Sequence, residues 1–367
     1  MERHLDSLDS LMSWSVDLGS FWIGEREAVS KIAPDDGPLE FTPHPLLKHP
    51  VAQTLAGGAW WFERELTRAH HHEVVLRDGD QVGMFEDVPL AQHDRGASVV
   101  VFHSMASSAS DPVVRHLGAV LARRGIRCFR VNHRGVGSSV RSHEIYHAGR
   151  SDDIADVVRA VVRLRPANER IAVIAFSLSA NMVLRHLGMA GTSTEPAFPR
   201  QVVGSVLISP VVDLRAATVA LVQGSYTVVG RLLCKLGRKQ IERRHNLLPE
   251  LGPSGLPPRM SPFDVMEYVA RNTGFADMED YFERATAEPW LPFVRAPVFT
   301  ISAADDPMAP PSTRSWRANP CIRELETEHG GHLGFIAAAR GPSGYRRWLD
   351  HAVLRIMERD LGIKPRS

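Results

Sequence analysis

Three side chains in this sequence are of the types that nucleophilic acyl chemistry requires. Ser177 lies in Ala175-Phe176-Ser177-Leu178-Ser179, between an apolar β-branched run and a helix-like segment. A serine on a sharp strand-to-helix turn has its Oγ lifted clear of the backbone. The usual pattern for such a turn is G-x-S-x-G, because a Cβ two residues away on either side crowds it. Here Ala175 and Ser179 stand where the glycines would be, so glycine at both positions is expected to leave turnover equal or higher. A serine that merely caps the following helix is the plainer reading of the same residues. His332 sits in His329-Gly330-Gly331-His332-Leu333-Gly334-Phe335, where flexible glycines would let the ring swing towards a nucleophile. An imidazole with an ordinary pKa of about 6.5 can take a proton and return it near neutrality. Asp306, followed by the turn Pro307-Met308-Ala309-Pro310, would hold the imidazole tautomer and stabilise the imidazolium. Asp305 and His329 are the adjacent alternatives for acid and base. His329 and His332 could also pair on a metal, but no third ligand stands near them, and neither metal nor other cofactor is expected.

Two further segments bear on chemistry. His103-Ser104-Met105-Ala106 follows an apolar run, and the backbone N–H of Met105 is placed to join that of Leu178 as an oxyanion hole. A plain serine-rich turn is the alternative. The run His70-His71-His72 draws the eye, but consecutive residues of an extended segment point to opposite faces and do not converge on one metal. It reads as a solvated strand.

Reactive groups need elements to position them. Short β-branched runs recur at Ser98–Phe102, Arg127–Asn132, Arg170–Phe176, Val202–Ser209, Pro297–Ala303 and Ile322–Glu328. Helical segments separate them. The clearest opens on Asp111-Pro112 and closes at Gly125, with an aspartate cap, a first-turn proline and a terminal glycine. Strands alternating with helices imply a mostly parallel central sheet flanked by helices, with functional groups at the carboxyl ends of the strands. The candidate serine, aspartate and histidine each follow such a run. Glu73–Leu76 and Val82–Phe85, around Asp78-Gly79-Asp80, read as a hairpin leading into the sheet. The interval 211–290 breaks the rhythm with a basic helical stretch and the Pro/Gly-rich LPELGPSGLPPRMSP, as a helical cap insertion would. The expected division is an N-terminal helical extension (1–40), a first core part (41–210), the cap (211–290) and a second core part (291–367).

Composition narrows the class. The 367 residues are 44% hydrophobic and 23% charged, with a net charge of +1, the balance of a globular protein with no general pull towards nucleic acid. Cys128, Cys234 and Cys321 are odd in number and widely spaced, which suits a reducing cytoplasm better than a disulfide framework. No apolar run reaches the ~20 residues of a membrane span, and the start, MERHLDSLDSLMSW, lacks the basic-then-apolar order of a signal peptide. Leu5, Leu8, Leu11, Met12, Leu18, Phe21 and Trp22 mark one or two amphipathic helices. Any membrane contact would be peripheral, through these helices or the cap. Oligomeric state is not written in the pattern.

With these residues in hand, the chain resembles the YheT-like branch of the α/β-hydrolases, which includes bacterial esterase-like proteins, medium-chain fatty-ester synthase/esterases and monoacylglycerol lipases. The likeness is carried by His49-Pro50-Val51-Ala52-Gln53-Thr54, Asn132-His133-Arg134-Gly135, Tyr146-His147-Ala148-Gly149 and Phe176-Ser177-Leu178-Ser179-Ala180-Asn181. Asp280-Tyr281-Phe282, Asp305-Asp306-Pro307 and His329 through Phe335 add to it. The branch's elbow is normally G-F-S-L-G-G-N, whereas Ala175, Ser179 and Ala180 replace all three glycines here, and His103-Ser104 replaces His-Gly. The resemblance implies an α/β-hydrolase fold and hydrolysis of a small-molecule carboxylic ester with a short or medium acyl chain. It leaves open an acyltransferase using the same triad, or a non-catalytic binding protein of this fold.

Overall fold

The computed structural model describes residues 39–58, 69–90, 94, 96–194, 196–341 and 344–363. The expected N-terminal helices fall almost wholly on residues 1–38, outside the described residues. The described strands are β1 (Ala69–Val75), β2 (Gln81–Asp87), β3 (Ala97–Phe102), β4 (Arg127–Val131), β5 (Arg170–Phe176), β6 (Val202–Ile208), β7 (Val298–Ala303) and β8 (Ile322–Thr327). They form one sheet in the order β1-β2-β4-β3-β5-β6-β7-β8. β1–β2 and β2–β4 pair antiparallel, and every pair from β4–β3 onward is parallel.

The described helices are α1 (Pro50–Gly58), α2 (Pro112–Arg123), α3 (Ser151–Leu164), α4 (Leu178–Gly191), α5 (Leu214–Ala220), α6 (Thr227–Leu247), α7 (Pro262–Asn272), α8 (Met278–Ala285) and α9 (Trp348–Arg359). The sheet is covered on both faces, which explains why its central strands are unbroken apolar runs rather than alternating ones. In β3, Val100 and Phe102 pack with Ile154, Val158 and Leu184 of α3 and α4. Val99 and Val101 of the same strand pack with Leu117 and Leu121 of α2 and Val353 and Met357 of α9. A third apolar cluster joins Leu178 and Met308, which follow β5 and β7, to Leu214, Leu221, Tyr226, Met266 and Tyr281. The helices α5–α8, inserted between β6 and β7, thus lie over the carboxyl ends of the strands. No single helix among the described residues is long and apolar enough to cross a membrane.

The hairpin is longer than its sequence pattern suggests, because β1 takes in all three consecutive histidines. They are not uniformly solvated. His72 is half-buried with a ring nitrogen 2.6 Å from Glu86 Oε2, and the His71 ring lies against Phe85. An edge strand accepts such polar residues because only one face of it is covered.

Candidate active site

The site begins with the backbone at the end of β5. Ser177 has φ +52° and ψ −112°, a sparsely populated conformation for a residue with a side chain, costing on the order of 1–3 kcal/mol. Its surroundings impose it. The Ser177 N–H donates to the Ile208 carbonyl at 2.9 Å, and its own carbonyl accepts from Asn181 N at 3.2 Å as α4 begins. Asn181 in turn clamps α4 to the end of α8 and the residues just after it, donating to Ala285 O at 2.9 Å and accepting from Ala287 N at 2.8 Å.

The turn aims Ser177 Oγ at His332, 2.8 Å from Nε2. His332 Nδ1 is 2.8 Å from Asp306 Oδ2, and the other Asp306 oxygen accepts from Met308 N at 3.0 Å. An aspartate in this place acts as acceptor, so Nδ1 carries the proton and Nε2 accepts from the serine hydroxyl. All three residues are buried.

The glycines before His332 also meet a packing requirement. Gly331 has φ +57°, and a Cβ there would collide with Pro50 O and Thr54 Oγ1 of α1. They allow the loop to pack closely against its neighbours. His332 N donates to Thr54 Oγ1 at 2.9 Å, and the Thr54 hydroxyl proton goes to Pro50 O at 2.8 Å. The Tyr226 hydroxyl, 3.0 Å away, must therefore be the donor to Thr54. Asp305 and His329 sit beside this loop and not at its point. Asp305 Oδ1 accepts from Gly331 N at 2.8 Å, its second oxygen is 3.5 Å from His329 Nδ1, and burial raises its pKa. Thr54 and Tyr226 are positioning residues that sequence reasoning missed. For Thr54 the available signals were its place in the motif His49 to Thr54 and its standing with Gln53 as a polar pair inside an otherwise apolar stretch, Val51-Ala52-Gln53-Thr54-Leu55-Ala56.

Leu178 opens α4, so its N–H has no acceptor within the helix. Met105 lies in the loop after β3, one residue before Ala106, whose N–H donates to the Tyr146 hydroxyl at 2.9 Å. Met105 and Leu178 both line an apolar cavity of about 80 Å³. Leu233 and Ile241 of α6 and Val265 of α7 line it from above. His147 is also in the wall, where burial first, and then nearby arginines, lower its pKa to about 3. Among the described residues, no three His, Cys, Asp or Glu side chains are grouped so as to hold a metal ion.

Residues 97–339 match the family described as alpha/beta hydrolase fold. The chain is 29% identical over 270 residues to "Putative esterase YheT" of Escherichia coli, covering 71% of this chain and 77% of that protein. It is 23% identical over 295 residues to the Saccharomyces cerevisiae medium-chain fatty acid ethyl ester synthase/esterase 2, covering 71% and 61%. To the mouse monoacylglycerol lipase ABHD2 it is 23% identical over 312 residues, covering 78% and 71%. Among solved structures, the Pyrococcus furiosus esterase Pf2001 superposes with a TM-score of 0.52 at 15% identity, over 87% of this chain and 98% of that one. Those observations agree with the parallel sheet and its elbow: the chain belongs to the α/β-hydrolase family, in which it is similar to the YheT-like branch.

Proposed function

We propose that the protein is a carboxylic ester hydrolase in which Ser177 is the nucleophile, His332 the general base and Asp306 the orienting acid. The observation that carries this reading is the Ser177 Oγ to His332 Nε2 distance of 2.8 Å at a residue with positive φ, with Nδ1 held at the same distance by Asp306. Ser177 Oγ attacks the acyl carbon while His332 Nε2 takes its proton. The carbonyl oxygen becomes an oxyanion, received by the N–H groups of Leu178 and Met105. Collapse breaks the C–O bond, and His332 returns the proton to the departing alcohol. A water then repeats the sequence on the acyl-enzyme, with His332 again the base, and releases the carboxylic acid.

The acyl chain is short to medium and aliphatic. The cavity beside Leu178 and Met105 is almost wholly apolar, and the names of the yeast and mouse relatives point to fatty esters. Residues 211–290 serve as its cap. The test is a panel of nitrophenyl esters of rising chain length, run on wild type and Ser177→Ala. Turnover by the wild type that peaks at short or medium chains and vanishes in the variant supports the proposal. Equal turnover by both proteins refutes it.

A further inference from the structure

The serine that replaces the second elbow glycine is itself hydrogen-bonded on both sides. Ser179 is buried, and its hydroxyl donates to the His103 carbonyl, the first residue after β3. That donation leaves its oxygen to accept from His133 Nε2, 2.7 Å away. His133 is also buried; its ring stacks on Tyr146, at 5.0 Å and 14°, and lies edge-on to the His103 ring at 4.6 Å.

From there the bonds run into the loop that carries Met105. The His103 ring accepts from His133 N on Nε2, at 3.3 Å, so its Nδ1 is the protonated nitrogen and donates to the Ser104 carbonyl at 2.8 Å. In a trans peptide the C=O of one residue and the N–H of the next lie in one plane and point in opposite directions. Fixing the Ser104 carbonyl therefore fixes the direction of the Met105 N–H. On the far side, the Tyr146 hydroxyl holds Ala106 N–H, at a residue with φ +57°. The Met105 amide is thus gripped from before and after, and the grip is anchored at Ser179, two residues from the nucleophile.

We infer that Ser179 is a positioning residue that, together with His133, His103 and Tyr146, orients the Met105 N–H towards the oxyanion formed on Ser177. The inference rests on the nucleophile and oxyanion reading above and adds to it. It also reverses what the elbow pattern alone suggests: glycine at 179 relieves crowding but removes the hydroxyl that ties the elbow to the oxyanion loop. Burial holds both imidazoles neutral, that of His103 with a pKa of about 4, so the donor and acceptor assignments above persist through the working range of an esterase.

The experiment compares Ser179→Ala and Ser179→Gly with wild type and Ser177→Ala on a short nitrophenyl ester. It also measures inhibition by an alkyl trifluoromethyl ketone of matched chain length, whose Ser177 adduct carries the same oxyanion. Loss of one oxyanion donor costs about 10²–10³ in kcat, and a misdirected donor about 10- to 100-fold. Both variants should therefore lose about 10- to 100-fold in kcat with KM within threefold. The ketone's Ki should rise by the same factor as kcat/KM falls. A residue that only supported the fold would lower the melting temperature and leave the Ki of the folded fraction unchanged. If Ser177→Ala is inactive while both 179 variants keep kcat and Ki within threefold of wild type, this inference fails and the triad reading stands. If Ser177→Ala retains turnover, the triad reading itself has failed.

Discussion

Replacing Asp306 by asparagine is the sharpest probe of the proposed mechanism, because the structure dictates which way the new amide would face. Asp306 Oδ1 accepts from Met308 N at 3.0 Å and Oδ2 from His332 Nδ1 at 2.8 Å. An asparagine has one acceptor and one donor end. The backbone N–H of Met308 demands the carbonyl oxygen, since facing it with the NH₂ group would leave two buried donors opposed, at about 1–3 kcal/mol. The NH₂ group therefore turns to His332, where it is satisfied only if Nδ1 is unprotonated. The proton then sits on Nε2, facing Ser177 Oγ, and the ring can no longer accept from the nucleophile. A wrong tautomer of this kind costs about 10⁴ in kcat in the triad worked out for serine proteases, and a loss of 10³–10⁴ is expected here. Asp305→Asn keeps an oxygen for Gly331 N and should lose less than about tenfold. The assay is kcat on a nitrophenyl ester at pH 8, with melting temperature as the fold control. A folded Asp306→Asn retaining more than a tenth of wild-type turnover, or a larger loss for Asp305→Asn, would refute the argument.

Ser177→Ala should lower ester turnover at least ~10³-fold with the fold intact, since only binding and oxyanion stabilisation remain; a folded variant with a tenth of wild-type activity contradicts it. The protein should lose stability as pH falls below about 6.5. His103 and His147 have folded pKa values of about 4 and about 3, below the unfolded value, so the unfolded chain binds protons first and each group removes up to about 1.4 kcal/mol per pH unit. Urea titrations at pH 7, 6 and 5 check the slope, and His147→Gln should flatten it. Gly331→Ala should cost stability and activity together, because its Cβ would meet Pro50 O and Thr54 Oγ1 where the histidine loop packs on α1; a variant with wild-type melting temperature and kcat would show that the loop can shift freely.

What the sequence made legible follows from how local each signal was. β3, β5 and β7 are buried on both faces, so they read directly as largely apolar β-branched runs, and Ser177 after β5 and Asp305-Asp306 after β7 stand out where those runs end. The parallel sheet and the helical insertion before β7 could be read in the same way. The bracing around the site could not, because it depends on distant partners. Thr54 meets the backbone of His332 across 278 positions, and Tyr226 reaches Thr54 across 172. The histidine-loop glycines show the same gap in reasoning. Glycine in a sequence signals freedom, whereas Gly331 in the structure marks a contact so close that no Cβ fits.

The elbow shows how a chain can drop both of the glycines that such a turn normally carries. The strain at Ser177 sits in one residue, and its backbone is bonded to Ile208 on one side and Asn181 on the other, so relaxing the turn would break bonds in the sheet and in α4. Ala175 need not crowd it. Its side chain is fully buried among the apolar residues between β5 and α4, where a methyl group contributes about 0.8 kcal/mol and spares the unfolded-chain entropy of a glycine, about 0.5–1 kcal/mol. Together these are of the same order as the strain they accompany. Ser179 offsets its own crowding differently, by bonding to His103 and His133. The two substitutions therefore act at different levels. Ala175 stabilises the fold that imposes the strained serine, whereas Ser179 ties the elbow to His103 and His133, the bonds through which the inference above has it direct the proposed oxyanion donor.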